Sequence, residues 1–380
     1  MPSIYDARST REWCDQETVG ESFYRTALND IRKHVPINEH NVRRFDATLV
    51  LEMDNPHSKS GHAISVRWQD RVIAHIPDSE TNDYFPELAR LAASGFDAGV
   101  RATLWTNETQ PNFNPRDVHM SVHIGSQPPG MIAPINNPPS QKWAVIPRGR
   151  TSQVSKEKDH LDVLQSYTGL GNAKTYILVT LHKVLLGTRT HWAGVEVRLD
   201  GKRIGELSKA TGAKFLPIIE RYDSLGLITV CHAYLRETPT SAEVTLKAAT
   251  FEEITDADLY TPDICPIPQL VPYASDPYTY NVPGRYRPNL EDNHAYGVRK
   301  YGKPHYSNPS RLGYRQANTG LRANKNYTIY LLCLFFGGYL GLHYYYLGKI
   351  GKGVLYTCTA GLFMIGWIAD ILNPRRGFHS

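Results

Sequence analysis

Few residues of this chain stand in patterns that catalysis needs. His119 and His123 lie four apart, a spacing at which two imidazoles can share a metal. The stretch around them, "DVHMSVHIG", alternates apolar and polar residues. It therefore predicts a strand with both histidines on one exposed face rather than a metal pair. Glu52 and Asp54 are close in sequence, but nothing orients them as an acid–base pair. Thr168-Gly169-Leu170-Gly171-Asn172 lacks the third glycine and the preceding strand of a nucleotide loop, and predicts a turn. The chain has no G-x-x-x-x-G-K-[ST], G-x-S-x-G, H-E-x-x-H or C-x-x-C pattern. The expectation is a protein that is not an enzyme, with no catalytic residue, cofactor or metal.

The elements that would position any site divide the chain unevenly. It has 380 residues, a formal charge of +5, and five scattered cysteines that predict a reducing compartment rather than a disulfide framework. Its first residues, "MPSIYDARSTREWCDQE", contain no apolar core of a cleaved signal. Near the other end, no Lys, Arg, Asp or Glu occurs from Asn326 to Gly348. A second apolar run covers 354–372, with Asp370 near its end. A helix needs about 20 residues to cross about 30 Å of hydrocarbon, so two spans are expected, at about 327–347 and 354–372. Arginines and lysines before the first span and after the second outnumber Lys349 and Lys352 between them. This predicts an integral membrane protein with both termini cytoplasmic. Gly337 and Gly341 share a helix face and permit close helix packing, including homo-oligomer formation in the bilayer.

The first span ends, leading into the turn, on "GLHYYYLG", residues 341–348. With the glycine-rich span before it and Asp370 after it, this stretch resembles the two-transmembrane-helix "TM-two" domain family over about 325–372. The residues that carry the resemblance are Gly341, His343, Tyr345, Tyr346, Gly348 and Asp370; Tyr344 stands where arginine is usual. The tyrosines then belong to an interfacial belt and His343 to a structural cap.

The part before the spans contains an internal repeat. Ile64–Trp105 aligns without a gap on Val195–Arg236, at an offset of 131. Arg67 falls on Arg198, Pro86 on Pro217 and Gly95 on Gly226. Each copy predicts a half-buried strand (Ile64, Val66, Trp68; Val195, Val197, Leu199), then a helix, then a glycine cap, then a further strand. Asp200-Gly201 predicts a hairpin turn. The expected architecture is a small β-barrel with one packed helix per copy.

The first copy resembles the HIRAN family of SH3-like barrels, through Val19-Gly20-Glu21-Ser22-Phe23-Tyr24, Asp54-Asn55-Pro56 and Ala63-Ile64-x-Val66. The resemblance implies a site for single-stranded DNA ends. Phe23 and Tyr24 would stack on bases, Asn55 would be a polar contact, and His57 stands at the loop aromatic. The loop after Pro56 is two residues longer than the family pattern, and Pro77-Asp78-Ser79-Glu80 is acidic.

The predicted division is a tail at 1–17, a HIRAN-like domain at 18–125, a linker at 126–150 and a divergent second copy at 151–250. A disordered Pro/Tyr/Arg-rich linker follows at 251–325, then the TM-two domain at 326–372 and a cytoplasmic tail at 373–380. The expected fold class is multidomain: two small β-rich domains and a transmembrane helical hairpin. The expected function is a membrane-anchored, non-enzymatic binding or scaffold protein. Its partners would be the lipid bilayer and an unidentified protein. The alternative is tethering of single-stranded or damaged nucleic acid to the membrane.

Overall fold

The computed structural model describes residues 2–109, 113–114, 118–167, 174–187, 191–238 and 241–287. The glycine-rich run 168–172, residues 288–325 of the predicted linker, both predicted spans and the tail 373–380 lie outside the described residues. Among the described residues, no helix is long and apolar enough to cross a membrane.

The first sheet contains β1 (Ser3–Asp6), β2 (Gln16–Glu17), β3 (Val42–Glu52), β4 (Ala63–Trp68), β5 (Arg71–His75), β6 (Phe96–Thr106) and β7 (Met120–Gly125). Helices α1 (Arg25–His34) and α2 (Asp78–Ala93) accompany it. The second contains β8 (Trp143–Val145), β9 (Thr151–Gln153), β10 (Thr175–Leu186), β11 (Trp192–Leu199), β12 (Lys202–Glu206), β13 (Ile228–Thr238) and β14 (Ser241–Lys247). With it go α3 (Leu161–Leu164), α4 (Lys209–Ser224) and α5 (Asp256–Tyr260).

Both sheets have the same connectivity. The first runs β2-β7-β6-β3-β4-β5 with β1 parallel to β6; the second runs β9-β14-β13-β10-β11-β12 with β8 parallel to β13. A register shift falls between Val66 and Arg67, and another between Val197 and Arg198. Helices α2 and α4 each have 16 residues, with Pro86 and Pro217 inside them. Gly95 (φ 84°) and Gly226 (φ 70°) follow the helix ends in the left-handed region, where a side chain would be strained.

Each sheet curls until one bridge joins its ends. Val19 and His75 exchange backbone hydrogen bonds of 2.8 Å, and Ser155 and Glu206 do so at 2.8 and 2.9 Å. The result is a partly closed half-barrel. Tyr84, Leu88 and Leu91 of α2 fill the first core, and Phe215, Ile219 and Tyr222 of α4 fill the second. This is the apolar stripe expected of a helix lying on a sheet.

Besides the predicted tail 1–17, which carries β1 on β6 and β2 on β7 and buries Tyr5 and Ala7, three expectations need correction. First, β4 is not half-buried: Ile64, Ser65, Val66 and Arg67 are all buried. Alternation marks a strand, but chain from elsewhere covers its polar face. Second, 126–150 is not a simple linker. Glu87 accepts N–H groups of Gly130, Ile132 and Ala133 at 2.6–2.9 Å. Asn136 both accepts from and donates to the backbone of Leu178, at 2.8 and 2.9 Å, and Trp143–Val145 forms β8. The segment is thus clasped by α2 on one side and β10 on the other. Third, 251–287, the described part of the predicted disordered linker, has defined contacts. Leu270 joins the first core, Val271 N–H donates to Ser94 Oγ, and Arg90 Nε donates to the Val271 carbonyl. Low apolar content removes the means to build a core of its own. The cores of the two sheets order it instead, taking in Leu259 and Leu270, together with hydrogen bonds to its backbone.

Candidate functional site: an aromatic cleft on the first sheet

The bridge between Val19 and His75 starts the site. Gly20 (φ 88°) turns the chain into a short 3-10 helix, Glu21–Phe23, which carries Phe23 and Tyr24 to the surface. Glu21 Oε1 accepts the Val122 N–H at 3.3 Å and fixes this turn to β7. Glu157 does the same for Val244 in the second sheet, also at 3.3 Å.

The loop after β3 forms the opposite wall. Asn55 Oδ1 accepts the His57 N–H at 2.9 Å, a side-chain-closed turn, while Asn55 Nδ2 donates to Glu52 Oε2 at 2.7 Å. Phe23, Tyr24, Asn55 and His57, the four residues singled out by the family resemblance, therefore border one cleft of about 740 Å³. Phe23 is 68% exposed. Tyr286 and Arg287 border the same cleft, and the Tyr286 ring meets His57 edge-on at 6.0 Å.

A buried polar network lies beneath. Tyr24 Oη is 3.4 Å from His75 Nδ1, and His75 Nε2 is 3.6 Å from Glu52 Oε2. Arg67 Nη2 donates to Glu52 Oε1 at 2.9 Å. Burial pushes the Glu52 carboxyl up, but hydrogen bonds from Arg67 and Asn55, with His75 and Ser65 beside the carboxylate, outweigh it and hold the group down at about 2. Glu52 is therefore a fixed anion that anchors the loop, not an acid that exchanges protons near neutrality.

In the second sheet Glu206 takes the bridge position of His75 and pairs with basic side chains instead: Lys156 Nζ and Arg203 Nη2 each lie 2.7 Å from it. Asp159 and His160 follow the matching turn. The aromatic cleft belongs to the first sheet.

Sequence patterns did not point to Arg67 or His75, nor to the role of Glu52; Tyr286 stood out only within a tyrosine- and arginine-rich linker. The one signal was Arg67 within the repeat, where it read as a strand residue. His119 is exposed, and His123 lies on β7 beside Thr103 and Glu17, away from the cleft residues. The hairpin residues Gly337, Gly341, His343, Tyr345, Tyr346, Gly348 and Asp370 lie outside the described residues.

These features define a β-sheet unit with an aromatic cleft and a buried polar floor. The C-terminal part can be placed by comparison: residues 323–372 match the TM2 domain family. A TM2 domain-containing protein of Dictyostelium discoideum is 46% identical over 52 residues, 14% of this chain and 32% of that protein. A second, from the same organism, is 55% identical over 42 residues, 11% of this chain and 27% of the relative. The chain thus spans about a third or less of the length of the curated relatives it matches. No solved structure matches. The TM2 match points to a membrane protein and leaves the two sheets without a named relative.

Proposed function

We propose that this is a membrane-anchored binding protein, non-catalytic, whose two β-domains are HIRAN-like copies of one duplicated module. Two C-terminal spans, about 327–347 and 354–372, would hold the domains on the cytoplasmic side. The observation that carries the binding role is the convergence of Phe23, Tyr24, Asn55 and His57 on one cleft, with Phe23 exposed. A large apolar ring presented to solvent beside polar groups is what recognition of a partner requires. The shared sheet order and the gap-free match of Ile64–Trp105 on Val195–Arg236 support duplication. Deleting 326–380 should move the protein from the membrane to the soluble fraction; persistence in the pellet would refute the anchor. Affinity capture with the wild-type chain and with Phe23→Ala, each with and without nuclease, tests the cleft. A protein partner should survive nuclease and be lost with Phe23→Ala.

A second reading has its own support. Phe23 and Tyr24 on one edge could stack on unpaired bases, at about 1–3 kcal/mol per base. Asp78 at the cleft and Glu80 in the same first helical turn would weaken phosphate contact. This reading requires salt-dependent binding of single-stranded DNA at micromolar protein, and fails without it.

A further inference from the structure

The backbone and side chains of residues 284–287 are held in a way that goes beyond covering a sheet. Asp54 Oδ1 accepts two successive N–H groups, from Arg285 at 2.9 Å and Tyr286 at 2.8 Å. Arg67 Nη2, buried and already paired with Glu52, also donates to the Arg285 carbonyl at 2.6 Å. The Arg285 guanidinium pairs with Asp97, and both side chains are largely buried. The Arg287 guanidinium pairs with Asp70, reaching both its carboxylate and its carbonyl. Gly284 lies so close to Asp54 that a Cβ there would come within 2.6 Å of Oδ2. Asp54 cannot swing away without releasing two N–H groups, so the position selects glycine.

We infer that the first sheet carries a recognition site for an extended peptide of the pattern Gly-Arg-aromatic-Arg, and that residues 284–287 are its resident ligand in cis. The reading combines the elements of peptide capture: main-chain hydrogen bonds supply affinity, and pockets of fixed charge supply specificity. Arginine suits these positions because its guanidinium is always charged and more weakly hydrated than an ammonium, which favours the largely buried pair of Arg285 with Asp97; at Asp70 a single nitrogen, Arg287 Nη1, meets both carboxylate and carbonyl. The groove does not end there. A cleft of about 950 Å³ continues past Arg285 and Arg287 along β1 and β3, bordered by Asp6 and Asp46. A partner bearing the pattern would displace the chain's own segment and use this extra length. The site's main-chain and charge contacts rest on Asp54, Arg67, Asp70 and Asp97, while Tyr286 and Arg287 also border the aromatic cleft.

The test uses the full-length chain in detergent micelles and fluorescent peptides. Gly284→Val, Arg285→Ala and Arg287→Ala together should vacate the groove. That variant should bind VPGRYRP at least tenfold more tightly than the wild type, whose own segment competes. VPARYRP should bind at least tenfold more weakly than VPGRYRP, and VPGKYKP, with the same charge, at least fivefold more weakly. Hydrogen exchange on the wild-type chain needs no altered fold. The Arg285 and Tyr286 amides should be protected at least tenfold, and excess VPGRYRP, but not VPARYRP, should reduce that protection. Equal binding of VPGRYRP and VPARYRP, equal binding of a scrambled peptide, or unprotected Arg285 and Tyr286 amides would overturn the inference.

Discussion

Arg67 on β4 reaches along the sheet to Glu52 at the end of β3, Nη2 to Oε1 at 2.9 Å, although the register pairs Arg67 with Thr48 and Glu52 with Ala63; neither side chain reaches solvent. Removing one member strands the other charge in a low-dielectric interior. Arg67→Met should therefore cost about 3–5 kcal/mol of unfolding free energy, well above the cost of a surface substitution. Urea denaturation of the β-domains would measure it.

The same pair makes stability depend on acid. Glu52 is held at about 2, below its ordinary 4.5. Between those values the unfolded chain binds more protons than the folded one. Stability is therefore full above about pH 4.5 and is lost as pH falls toward 2, by about 3 kcal/mol. Glu52→Gln should start less stable at pH 6 and lose that acid-dependent slope. Denaturation midpoints at pH 5 and pH 3 would show both effects.

Glu87 should act in the opposite direction. Burial pushes its carboxyl up to about 7, against the three backbone N–H groups that favour the anion. Here the folded chain holds the proton that the unfolded chain releases. Its contribution is complete below about pH 4.5 and is lost as pH rises through about 7. Glu87→Gln should flatten that limb. It should also cost about 1 kcal/mol through weaker acceptance of the Gly130 N–H. Thermal melts between pH 4 and pH 8 would separate the two effects.

Phe23 is exposed, so Phe23→Ala should change stability by less than about 0.5 kcal/mol. Its effect should fall on partner capture. A destabilisation of several kcal/mol in a melt would place Phe23 in the core instead.

Gly149 marks a tight crossing. A Cβ there would come within 2.5 Å of the Ala249 backbone nitrogen and Cα. Backbone atoms cannot turn aside as a side-chain tip can. Gly149→Ala should cost about 1–3 kcal/mol, read as a lower urea midpoint.

Much of the local structure was legible in the chain. The alternation at Val195, Val197 and Leu199, the apolar stripe of α4 and the caps at Gly95 and Gly226 are short-range signals. Each is set by strand pleat, helix period or left-handed backbone, within a few residues. Asp200-Gly201 likewise turns β11 into β12, with φ of 48° and 78°. The matching turn at Gln69 and Asp70 (φ 48° and 66°) carries no glycine, and sequence patterns did not reveal it. The linker expectation failed because composition reports only what a segment can bury by itself.

Sequence alone therefore located the paired strand–helix–strand stretches at Ile64–Trp105 and Val195–Arg236 and the region that matches the TM2 family. These are properties of spacing along one chain. Tertiary structure decided that Asp54 meets Arg285, 231 residues away, and that Glu52, Arg67 and His75 share one network. It also placed Phe23, Tyr24, Asn55 and His57 around one cleft. Such contacts depend on which surfaces the folded sheets bring together. A carboxylate's partner is fixed by distance and burial in space, and no local period encodes either.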